Sequence, residues 1–391
     1  MTKALKSAVA ALALSAAGAL PAHALSEDGK VRVGLLYTLS GPAAILGEQS
    51  RDGFLLALEK LGGTLGGLEV ELHVIDDEQK PDLAVSRARE LVESDKVDFV
   101  VGPIFSNVLY AILPSVTESA FLISTNAGTS LLAGAECNEN LFVTSYQNDQ
   151  IHQVSGEYAQ EQGYPTAYLI TPNYQAGKDA MAGFKRSFKG EILGETLVPL
   201  GQLDYSGELA QIAAAQPAAI YAFMPGGMGV NFVKQFKMSG LDYIPFLSAF
   251  TVDESTLPAQ KDAALGMFSG ANWAPDLDTP QNVEFTKEYV QKYDRVPASF
   301  AFQAYDAALL IDSAIKGVEG DLSDMDKVRD ALEAADFTSL RGDFKFSSNH
   351  FPVQDFYLTT VVEREDGKYA TSIVKTIFDD YVDPYVADCK M

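Results

Sequence analysis

Hydrophobic and polar positions along this chain alternate between strand-like and helix-like patterns. Residues 30–36 form a short run rich in strand-forming residues, and residues 68–75 alternate apolar and polar positions like a strand with one solvated face. Between them, apolar positions recur at helical spacing over 53–60, until Gly62-Gly63 ends the pattern. The same order continues with a helix at 84–92, a strand at 97–101, a helix at 107–119 and a strand at 120–124. Such alternation predicts parallel strands joined by crossover helices in an open α/β sheet.

The pattern restarts after residue 145, which predicts a second α/β unit of similar size. Its strands are predicted at 166–170, 218–223 and 243–248, and the helices that follow residue 145 at 177–188, 229–239, 280–293 and 301–316. The sequence shows no short tandem repeat and no Pro/Gly/Ser-rich linker between the two units. We therefore expect short ordered strands, rather than a flexible spacer, to join them.

The first 24 residues have the pattern of a secretory signal peptide. Lys3 and Lys6 precede an apolar run over 8–20, too short to span a bilayer, and Ala22-His23-Ala24 offers an A-x-A cleavage site. We predict cleavage after Ala24, which leaves 367 of the 391 residues as a soluble protein exported to the periplasm. The next residue, Leu25, gives no cysteine for a lipid anchor.

The net charge argues against some partners. The chain carries −24, and removing the two lysines of the leader gives −24 − 2 = −26. This charge repels nucleic acid and anionic lipid, and no basic run offsets it. Solubility in a crowded compartment is the simplest reason for it.

The chain has two cysteines, Cys137 and Cys389. An even number in an exported protein predicts one disulfide rather than two free thiols. The spacing is not that of a C-x-x-C redox pair, so we expect a structural cross-link.

The loops at the predicted carboxyl ends of the strands share a composition that suits ligand binding. They are rich in small and hydroxyl residues and poor in charge, and they cover 40–42, 102–107, 124–129, 172–174 and 224–227. Ligands of open parallel sheets bind at this edge, where backbone N–H groups and helix N-termini favour a carboxylate. Turn formation alone also explains such residues in any single loop.

The residues needed for catalysis do not occur in a recognisable arrangement. His73, His152 and His350 are far apart in sequence, and none has metal-ligand spacing. The chain lacks a G-x-S-x-G elbow, a Walker loop and a G-x-G-x-x-G opening a helix. The sequence therefore predicts a binding protein without metal or other cofactor, and it disfavours a hydrolase of small amides or esters.

Several short motifs, in this order and spacing, resemble one family. They are 33–42 (VGLLYTLSGP) with Gly47 and Gly53, the Asp76-Asp77…Pro81…Ala84…Ala88…Leu91 stretch, Val101-Gly102-Pro103…Ser106, Ile123-Ser124…Ala127…Leu131, and Tyr305-Asp306-Ala307. The chain is similar over nearly its whole length after the leader to periplasmic solute-binding proteins of type I fold, in the leucine/isoleucine/valine-binding family of ABC importers.

The resemblance implies two open parallel-sheet α/β lobes joined by three crossover strands. The N-terminal lobe would comprise 26–145 plus 277–356, and the C-terminal lobe 146–276 plus 357–391. The lobes would close on a small-molecule ligand, and the closed monomer would dock on a membrane permease.

The resemblance also implies roles for individual residues. Ser106 matches the serine that holds a ligand carboxylate, and Tyr174 matches a tyrosine of the C-terminal lobe. Phe250 stands where amino-acid binders commonly have a carboxylate for the ligand's ammonium, with Asp253 the nearest acid. The full predicted ligand-binding set is Leu46, Phe105, Ser106, Asn107, Asn126, Ala127, Gly128, Thr129, Tyr174, Pro225, Gly226, Phe250, Phe300 and Phe302.

Because an ammonium buried without a partner costs several kcal/mol, this set favours a small hydrophobic carboxylate, and an aromatic acid in particular. Two alternatives stay open. One is a branched-chain or aromatic amino acid carried by the same kind of transporter, and the other is a ligand-sensing partner of a membrane receptor.

Overall fold

The structure, a computed structural model, describes residues 29–391, so the predicted signal peptide lies outside the described residues. Within 29–391, none of the helices combines the length and the apolar composition that a bilayer crossing requires.

The first lobe is built on a six-stranded sheet. Its strands are Lys30–Tyr37 (β1), Thr64–Leu65 (β2), Leu68–Asp76 (β3), Phe99–Val101 (β4), Phe121–Ser124 (β5) and Leu141–Val143 (β6), and its first helices are Ala44–Lys60 (α1), Pro81–Arg89 (α2), Ser106–Thr117 (α3) and Ser130–Ala133 (α4). The strand order is β2-β3-β1-β4-β5-β6, parallel except for β2. The sequence order therefore reverses between β1 and β4, which makes a topological switch point there.

The second lobe repeats this topology. Its strands are Thr166–Pro172 (β7), Glu191–Val198 (β8), Ala219–Ala222 (β9), Phe246–Ser248 (β10) and Phe268–Ala271 (β11), and its helices are Asn148–Glu161 (α5), Gln175–Ser187 (α6), Ser206–Ala215 (α7), Gly227–Met238 (α8) and Leu257–Gln260 (α9). The parallel order is β8-β7-β9-β10-β11, so a second switch point lies between β7 and β9.

The chain then returns to the first lobe and afterwards crosses once more to the second lobe. Helices Pro280–Tyr293 (α10), Ser299–Gly317 (α11) and Met325–Ala334 (α12) follow, then strands Lys345–Phe346 (β12), Pro352–Glu363 (β13) and Tyr369–Tyr381 (β14). Helix α11 packs along α1. Strand β13 pairs antiparallel with β12, β11 and β14, and so joins the sheet of the second lobe. The predicted architecture of two parallel-sheet lobes with three connections is confirmed.

The three connections between the lobes are tied together by hydrogen bonds. The carbonyl oxygen of Ser145, in the first connection, accepts from Asn272 Nδ2 at 3.1 Å and from Gln354 Nε2 at 2.7 Å. Asn272 follows β11 and Gln354 lies in β13. Arg341 also donates to this carbonyl, at 3.3 Å, and to Gln354 Oε1. The three crossings therefore form one hydrogen-bonded hinge.

The disulfide predicted between Cys137 and Cys389 is confirmed, across a sequence separation of 252 residues. Cys137 precedes β6 in the first lobe, and Cys389 follows β14 of the second. The end of the chain therefore crosses back to the first lobe, where Tyr385 and Asp388 lie against Gly134.

Candidate functional site

The two switch points face each other across the cleft between the lobes. The loops after β1 and β4 come from the first lobe, and those after β7 and β9 from the second. They enclose a narrow cavity between the lobes, a position where small-molecule sites commonly lie. The cavity is lined by Leu46, Ile104, Phe105, Ser106, Asn126, Ala127, Tyr146, Asn148, His152, Tyr174, Ala176, Phe223, Pro225, Phe250 and Phe300.

Several helices begin at this cavity. Helix α3 starts at Ser106, α5 at Asn148, α6 at Gln175 and α8 at Gly227, each within two residues of a lining residue. Among residues 29–391, no side chain forms a capping hydrogen bond at the N-terminus of α3, α6 or α8. Their first N–H groups and their dipoles therefore favour an anion in the cavity.

The hydroxyl of Ser106 is held ready to donate. Asn148 Nδ2 donates to Ser106 Oγ at 3.2 Å and also to Asp179 Oδ2 at 2.9 Å. Asn148 Oδ1 accepts from the N–H of Gly128 at 3.1 Å, which fixes the orientation of the amide. Since Ser106 Oγ accepts in this contact, its proton is available to a ligand oxygen.

A second oriented polar group is Asn126, in the loop after β5. Asn126 Nδ2 donates to the carbonyl of Ile104 at 2.7 Å, and its Oδ1 accepts from Tyr146 OH at 3.1 Å. Burial raises the pKa of Tyr146 well above its ordinary value, so the phenol stays protonated. Both side chains therefore line the cavity as neutral groups.

Aromatic rings from both lobes form the apolar wall. Phe105 lies 6.1 Å from Tyr174 and Phe300 lies 5.7 Å from Phe250, between ring centroids, and both pairs span the cleft. Phe223 is 6.3 Å from Tyr174 and 6.4 Å from Phe250, so it connects the two pairs. Such a set of rings suits a flat apolar or aromatic body.

Among the described residues that line the cavity there is no Asp, Glu, Lys or Arg. Two buried acids outside the lining, Asp179 and Asp253, lie close enough to act electrostatically on the lining residues Tyr174 and Tyr146. Asp179 accepts from Ser130 Oγ at 2.8 Å and from Gln175 Nε2 at 2.8 Å, besides Asn148. Asp253 Oδ1 accepts from Ser255 N at 2.9 Å, whereas its Oδ2 is buried without a hydrogen-bond partner, and burial raises the pKa of this carboxyl to about 6. The lining thus offers donors for an anion and contains no carboxylate for an ammonium.

The structure brings most of the predicted site residues to this cavity and leaves five outside its lining. Thr129 caps helix α4 by accepting from Leu132 N, and the Gly128 N–H is bound to Asn148. Phe302 stacks on Trp273, at 5.0 Å between centroids. Gly226 packs against the other lobe, since a Cβ added there would lie 3.4 Å from the carbonyl oxygen of Pro42. The side-chain oxygen of Asn107, Oδ1, is buried and has no hydrogen-bond partner among the described residues.

Sequence reasoning missed six lining residues, which are Ile104, Tyr146, Asn148, His152, Ala176 and Phe223. Three of them lie in or just before helix α5, which carries polar residues all round and yet is largely buried. At its start the Gln147 N–H donates to Gln150 Oε1 at 3.1 Å, but glutamine is not a usual N-cap residue, so this helix start carried no clear sequence signal.

Comparison with known proteins agrees with this architecture. A family model described as periplasmic binding protein matches residues 30–368. A solute-binding protein of an ABC transporter from R. palustris, solved in complex with benzoate, is 33% identical, with a TM-score of 0.87 over 93% of this chain and 100% of that one. Another from Rhodopseudomonas palustris BisB5, in complex with 3,4-dihydroxybenzoic acid, is 29% identical, with a TM-score of 0.84 over 91% and 99%.

In sequence, this chain is similar to a Leu/Ile/Val-binding protein homologue of Brucella melitensis. The homologue is 28% identical and covers 97% of this chain and 98% of its own length. The family match extends over most of the chain, and the fold and the interlobe cavity agree with it. This chain belongs to the periplasmic binding protein family.

Proposed function

We propose that this protein is the periplasmic substrate-binding component of an ABC importer and that it carries a small aromatic carboxylate to a membrane permease. The observation that carries the proposal is the cavity itself, which joins an aromatic wall to uncharged donors and contains no acidic side chain. The benzoate and dihydroxybenzoate bound to two similar proteins fit this chemistry. In this role the protein binds its ligand without transforming it and acts as a monomer.

The ligand would be held by both lobes. Ser106 and Asn126 belong to the first lobe, and Tyr174 and Phe250 to the second. We propose lobes of 26–145 plus 277–356 and of 146–276 plus 357–391, with the last residues returning to the first lobe through the disulfide. A ligand that contacts both lobes favours the closed form by its differential affinity, and the permease would recognise that form.

A matched pair of ligands tests the ligand class directly. We expect calorimetry to detect binding of benzoate and of 3-phenylpropanoate. Phenylalanine should bind more weakly than 3-phenylpropanoate by roughly 100-fold or more. The two larger ligands differ by one ammonium group, for which the cavity has no partner. Tight binding of leucine or phenylalanine, with none of the aromatic acids, would identify an amino-acid carrier instead.

Tyr174 is the residue whose removal we expect to affect closure. Its ring lies on Phe105 of the other lobe and on Phe223 of its own. With saturating benzoate, small-angle scattering should show compaction of the wild-type protein and less compaction of Tyr174→Ala. Tyr243→Ala, which changes a tyrosine 69% exposed in the second lobe, is the control and should compact like the wild type. Equal compaction of all three proteins would exclude Tyr174 as a closing contact.

A further inference from the structure

One polar group of the cavity, His152, takes no part in the hydrogen bonds that orient Ser106 and Asn126. It lies on α5, four residues after Asn148 and therefore on the same helix face. It is 2% exposed and lines the cavity beside Phe223, at 5.0 Å between ring centroids. Its Nδ1 forms a hydrogen bond with the hydroxyl of Tyr221. None of the hydrogen bonds found among residues 29–391 involves its Nε2.

The partner on Nδ1 determines which nitrogen carries the proton. Tyr221 lies on β9 and is fully buried, and His152 is the hydrogen-bond partner of its hydroxyl among the described residues. If Nδ1–H donated to the phenol oxygen, the phenol proton would be left buried without an acceptor, which is costly. The phenol therefore donates to Nδ1, and the neutral imidazole carries its proton on Nε2.

The surroundings keep this imidazole neutral. Burial lowers the pKa of His152 to about 3, because the site gives the charged form no compensation for lost hydration. Burial also raises the pKa of Tyr221 well above its ordinary value, so the phenol keeps its proton. His152 thus presents one fixed N–H donor to the cavity over the whole neutral range.

We propose that His152 contacts the ligand and donates its Nε2–H to the carboxylate that Ser106 also binds. This inference rests on the proposed function and deepens it. Asn148 links the two donors, since its amide lies 3.2 Å from Ser106 Oγ and its position is one helical turn from His152. A carboxylate has two oxygens, one for the serine hydroxyl and one for the imidazole N–H. Tyr221 acts as the positioning residue that holds the tautomer.

Two substitutions separate the donor from the ring. His152→Phe keeps a buried aromatic ring but removes the N–H, and we expect it to weaken benzoate binding about 10- to 100-fold in calorimetry. His152→Gln can place an N–H near the position of Nε2 and should recover part of the loss. His73→Gln, on β3 in the first lobe, is the matched control and should bind like the wild type. Unchanged benzoate affinity in a folded His152→Phe protein would overturn the proposal.

A comparison of benzoate with 4-hydroxybenzoate shows which part of the ligand the imidazole binds. His152→Phe should lose affinity equally for benzoate and for 4-hydroxybenzoate, because both present the same carboxylate. A loss confined to the hydroxylated acid would overturn the proposal, since His152 would then bind the ring substituent. If the wild-type protein binds neither acid, the proposed function itself fails, which is a result distinct from both.

Nitrogen NMR of histidine-labelled protein gives a readout that does not depend on affinity. We expect the His152 signals, assigned with the two variants, to show the neutral Nε2–H tautomer before ligand is added. Saturating benzoate should shift the Nε2 signal and leave Nδ1 nearly unchanged. Tyr221→Phe should disturb the Nδ1 signal in the free protein. An Nδ1–H tautomer, or an Nε2 signal unmoved by bound benzoate, would contradict the assignment.

Discussion

Replacing Arg341 with methionine should lower the free energy of unfolding by about 3–5 kcal/mol. Arg341 donates to Asp306 Oδ2 at 3.1 Å, and the two side chains are 6% and 0% exposed. It also donates to the carbonyl of Thr144 at 2.9 Å, which anchors the first connection of the hinge. Its loss would leave the buried Asp306 without its cation, and burial already raises the pKa of that carboxyl. Denaturant unfolding followed by circular dichroism measures the change.

Two further variants make this prediction specific. Arg87→Met removes an exposed arginine paired with Glu90 at 2.9 Å, and should change stability by less than about 1 kcal/mol. Adding Asp306→Leu to Arg341→Met should restore part of the loss, because a buried apolar pair needs no compensating charge. An Arg341→Met protein as stable as Arg87→Met would show that the buried pair contributes little.

Gly53→Ala should destabilise the first lobe by about 3 kcal/mol, the upper part of the usual cost of overpacking. Gly53 lies in α1, where an added Cβ would come 2.0 Å from the carbonyl oxygen of Ala301 at the start of α11. Because that contact is with backbone, the two helices would have to separate. Thermal or denaturant unfolding tests the change, together with the affinity for benzoate.

Gly207→Ala is the matched control for this substitution. Gly207 lies in α7, and an added Cβ there would meet no atom within 4 Å. Since alanine favours a helix over glycine by roughly 1 kcal/mol, we expect unchanged or slightly higher stability. Equal effects of the two substitutions would mean that α1 and α11 can move apart without cost.

Much of the fold followed from the sequence because buried parallel strands and amphipathic helices have clear periodicities. Helix α10 was predicted at 280–293, as observed, and strand 68–75 differs from β3 by one residue. The antiparallel pair β13 and β14 was not predicted. Strand β14 is only partly buried, and its exposed and half-buried positions do not alternate regularly, so its strand pattern is weak.

Some residues of the candidate site could likewise be predicted from the sequence, and others could not. Loops after parallel strands have turn residues and small side chains, so the loops that carry Ser106, Asn126 and Tyr174 could be located from the pattern, and the resemblance to the family then indicated these residues. His152 and Asn148 could not, because the sequence of α5 is typical of a surface helix. Its polar residues are buried by contacts with α6, β11 and β13, which depend on how the lobes assemble. The Tyr221–His152 contact joins residues 69 positions apart, and no local pattern encodes it.

The bond between Cys137 and Cys389 also determines how a pulling force would travel through the protein. A force applied at the two ends of the chain passes along the residues before Cys137, crosses the sulfur bridge and leaves through the residues after Cys389. Residues 138–388, which include all of β7–β11, lie in a covalent loop outside this path. While the bridge is intact, tension at the ends loads the N-terminal segment and leaves the second lobe mechanically shielded.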